Sequence, residues 1–150
     1  MKKEYSWQTR QELSNNYQDL TSDLINLNHF LFLTGIEALE CSRDLLTTSN
    51  SYPINFLDSF KLAESYNNWN QKDEDLNQWI FKRGIAFSNV VFIASDTELT
   101  IKTTWKEIVK QIHNIEEIYS NYFTVIDTTK QWALHYHHHN LGFEEDIISR

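Results

Sequence analysis

Apolar residues step alternately by three and four positions along two long stretches of this chain. Leu13, Tyr17, Leu20, Leu24, Leu27, Leu31, Thr34, Ala38, Cys41 and Leu45 form the first ladder, and Ile101, Trp105, Ile108, Ile112, Ile115, Tyr119 and Tyr122 form the second. Such steps track the helical period and keep each set on one face of an α-helix. The pattern therefore predicts an all-α protein.

The first ladder, from about Trp7 to Leu46, would be a rod of roughly 60 Å if unbroken. Breaks are expected near Thr21-Ser22-Asp23, which can cap a new helix, or at Gly35. Pro53 suits the first turn of a second helix that carries Phe56, Phe60 and Ala63 inward. Leu76, Trp79, Ile80, Phe87, Val90 and Val91 predict a third helix over about 73–94, with Gly84 inside it. Ser95 and Glu98 match a capping box and place the start of the helix bearing the second ladder. Asp127 can cap a last helix and Gly142 can end it. The whole is expected to be one domain over residues 1–150, a bundle of five or six amphipathic helices.

Composition supports a single substantial core, with five Trp and nine Phe among 150 residues. Only three Gly and one Pro are present, little material for hairpin turns. No apolar run approaches the roughly 20 residues of a membrane span. The one cysteine, Cys41, excludes an internal disulfide and sits on the first ladder as an inert core thiol, so a cytoplasmic setting is expected. A formal charge of −8 weighs against nucleic acid and favours a basic protein partner.

Candidate chemistry concentrates in His135-Tyr136-His137-His138-His139, which holds four of the six histidines. On a helix His135 and His139 lie one turn apart and border the core, a spacing that can place two nitrogens on one metal. His113 and Glu117 add an HxxxE pair, and His29 a further donor. The set His29, His113, Glu117, His135 and His139 resembles part of the ligand set of hemerythrin-like di-iron bundles. That resemblance implies a metal-binding helical bundle holding iron; zinc is the other ion such donors suit. The reading that these imidazoles are structural or surface residues stands beside it. A second alternative is a degenerate RNA-processing protein of HEPN type, because Lys130 to His135 gives the spacing of that family's Arg and His with Lys in place of Arg.

The pairs Glu37 with Glu40 and Glu116 with Glu117 read as solvated faces, and nothing resembles a nucleophile triad. With no complete catalytic set, the sequence leans against an enzyme. Aromatic anchors Trp7 and Trp69, with the acidic run Glu144, Glu145 and Asp146, are the candidate partner-binding residues. The main expectation is an acidic, cytoplasmic protein-binding module, an inhibitor of immunity-protein or antitoxin type that occludes a basic toxin or nuclease. Homo-oligomerisation through a remnant of either ladder is compatible with it.

Overall fold

The computed structural model describes residues 4–9, 11–12, 29–46, 60–67, 75–95, 97–119, 122–129, 132–137 and 140–146. It overturns the all-α bundle. Among the described residues eight strands form one sheet: β1 (Gln8–Thr9), β2 (Leu31–Thr34), β3 (Phe60–Asn67), β4 (Val90–Ala94), β5 (Leu99–Thr104), β6 (Tyr122–Ile126), β7 (Trp132–His137) and β8 (Asn140–Asp146). Three helices accompany them among the described residues: α1 (Gly35–Leu46), α2 (Leu76–Phe81) and α3 (Trp105–Tyr119). The strand order is β1-β2-β5-β4-β6-β7-β8-β3, and every neighbouring pair is antiparallel. None of these helices is long and apolar enough to cross a membrane.

Side chains alternate across the sheet, as the pleat requires. Phe32, Val91, Ile93, Ile101, Phe123, Val125, Leu134 and Tyr136 pack on one face with Leu76, Trp79 and Ile80 of α2 and Trp105, Ile108, Ile112 and Ile115 of α3. Leu33, Ala94, Ile126 and Ala133 point to the other face, where Ala38, Cys41 and Leu45 of α1 meet them. The core is thus two layers of side chains, one on each side of the sheet. A central strand buried on both faces has no polar-apolar alternation, as the fully buried run Phe123-Thr124-Val125-Ile126 of β6 shows; β4 is apolar throughout, although Val90 is 46% exposed.

Each misplaced helix has a physical reason. Leu31 and Thr34 are strand residues that happen to continue the spacing of Ala38, Cys41 and Leu45, so a strand and a helix merge into one ladder. Gly35 is the actual break, with φ of 65° at the first residue of α1. Ile101 and Tyr122 likewise belong to β5 and β6, and the second ladder is helical only from Trp105 to Tyr119. The expected helix over about 73–94 stops at Phe81. Gly84, at φ 78°, turns the chain out of the helix, and Val90–Ala94 is strand β4.

Ser95 caps no helix. Its Oγ accepts from Thr97 N–H at 3.0 Å and pairs with Thr97 Oγ1 at 2.7 Å, closing the turn between β4 and β5. Asp127 similarly accepts from Thr129 N–H at 3.0 Å and shapes the turn from β6 to β7. Short hydroxyl and carboxylate side chains make these turns in place of glycine. The expected last helix is instead strands β7 and β8, and Phe60 and Ala63 lie on β3. Thr21-Ser22-Asp23, Pro53 and Phe56 fall outside the described residues.

Candidate functional site

Helix α1 is held to the sheet by a buried hydroxyl network. Thr100 Oγ1 donates to the Ala38 carbonyl at 2.8 Å and lies 2.8 Å from Ser42 Oγ, which also accepts from Ser95 N–H at 3.3 Å. With that face fixed, Glu37, Glu40 and Asp44 fall on one stripe along the helix, at steps of three and four. The segment before β1 runs along this stripe: Ser6 N–H donates to Glu37 Oε2 at 2.9 Å, and the Tyr5 hydroxyl donates to Asp44. Burial, and then the hydrogen bond to the Asp44 carboxylate, raise the Tyr5 phenol above its ordinary range. Trp7 packs on Phe92 with ring centroids 5.8 Å apart, and Lys102 Nζ lies 5.8 Å from the Trp7 ring. Trp7 is therefore a half-buried cover for the sheet beside α1.

Cys41 lies buried under this face. Burial, reinforced by the Asp44 and Glu37 carboxylates, pushes its thiol up to about 12, which suppresses the nucleophilic thiolate.

The histidine set is not built as a helix pair, since His135 lies on β7. Alternation along β7 places it opposite Leu134 and Tyr136, on the α1 side, and its Nδ1 lies 2.9 Å from Thr124 Oγ1 of the paired strand. His113 and Glu117 are exposed on α3, across the sheet. His113 Nδ1 lies 3.2 Å from Glu116 Oε1. His29 is exposed just before β2, and its carbonyl accepts from Thr103 Oγ1 at 3.1 Å. The sheet separates these donors, and the described residues hold no group of three or more His, Cys, Asp or Glu that could bind a metal. His139, Lys130 and Trp69 lie outside the described residues. Glu144, Glu145 and Asp146 are in strand β8, between β7 and β3 in the sheet. His135 thus lacks the helical setting that the hemerythrin-like and HEPN-type readings give it, whereas His113 and Glu117 keep theirs on α3.

Two features escaped the sequence reading. The first is the buried Asp127 carboxylate, whose Oδ2 also accepts from Asn89 Nδ2 and Trp132 Nε1, both at 3.0 Å. It pins the turn before β4 to the β6–β7 turn, and an Asp-Thr-Thr sequence at 127–129 is the local signal for such a turn. The second is the surface this turn supports. The carbonyls of Phe87 and Asn89 accept from the N–H groups of Lys106 and Trp105 at 3.1 and 2.9 Å, capping α3. Phe87 is 45% exposed and meets the 56%-exposed Phe81 edge to face, with centroids 5.6 Å apart. Beside Phe81, a groove of ≈ 470 Å³ is lined by Asn77, Gln78, Phe81, Lys82 and Val109. Comparison of the chain with protein-family models, with curated proteins and with solved structures finds no match.

Proposed function

We propose that the protein acts in the cytoplasm by binding a basic protein, in the manner of an immunity protein or antitoxin that occludes a toxin or nuclease. The observation that carries this reading is the carboxylate stripe Glu37, Glu40 and Asp44 on a chain of formal charge −8. The hydroxyl network under α1 supports it by fixing the stripe's position, so that little ordering is needed on binding. These carboxylates are half-buried under the segment before β1, and their field still accelerates encounter with a positive surface and fixes its register. Trp7, covering the sheet next to the stripe, supplies an aromatic edge for the same interface.

The test is capture of proteins on the immobilised chain across a salt series, with a Glu37→Lys/Glu40→Lys variant alongside. Basic proteins retained at low salt, released as salt rises and lost in the variant are the expected result. Retention of acidic proteins only, retention indifferent to salt, or no retention at all overturns the proposal.

A further inference from the structure

Away from the carboxylate stripe, across the sheet, the surface changes sign. Lys106 and Lys110 are exposed on α3, one turn apart, and Val109 between them lines the groove beside α2. Lys82 lines the same groove. Of the described carboxylates nearest in sequence, Asp75 Oδ1 accepts from Gln78 N–H at 2.9 Å, Glu107 is buried at 7% exposure, Glu116 Oε1 lies 3.2 Å from His113 Nδ1, and Glu117 is exposed about two turns beyond Lys110. A chain with a surplus of negative charge thus carries Lys82 in the groove with Phe81, and Lys106 and Lys110 on the helix turn bonded to the Phe87 carbonyl.

We propose that this groove is a docking site for an acidic peptide segment of a partner protein, carrying an apolar anchor. The anchor packs against Phe81, Phe87 and Val109, and its flanking carboxylates face Lys106 and Lys110. Charge complementarity argues for that occupant, and rigidity argues for a site. Phe87 is fixed by backbone bonds to α3, and α2 is tied to α3 by Asn77 Nδ2 donating to the Val109 carbonyl at 2.6 Å. Paired exposed aromatics on a fixed support are the usual anchors of a recognition surface. A nucleic acid fits less well, because the charge of −8 repels a long polyphosphate while two lysines one turn apart match a pair of carboxylates. The site is distinct from the carboxylate stripe and stands or falls independently of it.

The experiment is fluorescence anisotropy of the full chain with a short labelled peptide of Glu and Asp around one Leu-Phe pair. The controls are the same peptide with Lys for every acid and a single-stranded oligonucleotide of equal length. The acidic peptide is expected to bind in preference to both, with Lys106→Glu/Lys110→Glu weakening it at least about fivefold. Phe87→Ser also weakens it without moving the urea midpoint of unfolding. Amide shifts of the wild-type chain on titration, expected over residues 77–82, 87 and 106–110, locate the site whether or not a variant folds. No binding at millimolar protein, equal binding of the basic peptide, or preference for the oligonucleotide overturns the proposal. Shifts confined to α1 overturn it too, as does self-association abolished by the lysine reversals, which assigns the groove to a second copy.

Discussion

On the side of the sheet covered by α2 and α3, the buried side chains include Trp105, Phe123, Trp132 and Tyr136; on the side covered by α1 they include Ala38, Cys41, Ala94 and Ala133. The first side gains stability by removing large apolar area from water. The second is a smaller cluster with Leu33, Leu45 and Ile126 as its largest buried members, and its alanines let α1 approach closely enough for Ser42 and Thr100 to bond. The difference teaches that the aromatic side supplies bulk stabilisation, whereas the α1 side supplies directional bonds that set where a helix lies.

The comparison is sharpest at Trp105. It is fully buried, meets Trp132 edge to face at 5.4 Å, and its Nε1 has no hydrogen-bond partner among the described residues, so its contribution there is packing. Trp105→Ala is expected to cost about 3–5 kcal/mol in urea unfolding. On the α1 side, Thr100→Val keeps the shape and deletes the hydroxyl that bridges Ser42 and Ala38. A cost of about 1–3 kcal/mol is expected, from bonds lost and a buried acceptor left unpaired. Should Thr100→Val prove the more costly of the two, the division of labour fails.

The smallest effect concerns Cys41 and is read against pH. Its thiol ionises at about 12 in the folded chain against an ordinary 9.0, so the folded state keeps a proton that the unfolded state releases. This contribution is fully present below pH 9.0 and is lost as pH rises towards about 12. Stability is expected to fall by on the order of 1 kcal/mol between about pH 9 and 10, and Cys41→Ala should flatten that fall. Urea midpoints across that interval check it, and the difference from Cys41→Ala cancels the losses that Tyr5 and Tyr119, also raised by burial, begin to add as pH nears 10.0.

Helix α3 was legible because Trp105, Ile108, Ile112, Ile115 and Tyr119 repeat at helical spacing over four turns. So was the packing of Ala38, Cys41 and Leu45, although the strand before them was absorbed into their ladder. The sheet was hidden by its own burial. β6, covered on both faces, loses the apolar-polar alternation that marks a half-exposed strand, and β4 lacks it too, carrying Val90 and Phe92 on its more open face. Their turns were hidden too, since Ser95, Thr97, Asp127 and Thr129 do with side-chain hydrogen bonds what Gly and Pro more often do with backbone preference. At the candidate site, the acids of α1 were visible as Glu37 and Glu40 but were read as a solvated face. The Phe81–Phe87 pair could not be seen, because it depends on a helix stop at Gly84 that periodicity carried straight through.

The edge strand β3 pairs residues 60–67 with residues 140–146 of β8. During synthesis at ordinary rates, β3 leaves the ribosome on the order of 4–15 s before the strand that completes its hydrogen bonds. Throughout that interval the growing chain carries an open ladder of backbone donors and acceptors, a template for pairing with a neighbouring nascent chain. Crowded translation therefore exposes both sides of β3 to such pairing, and the arrival of β8 covers one of them.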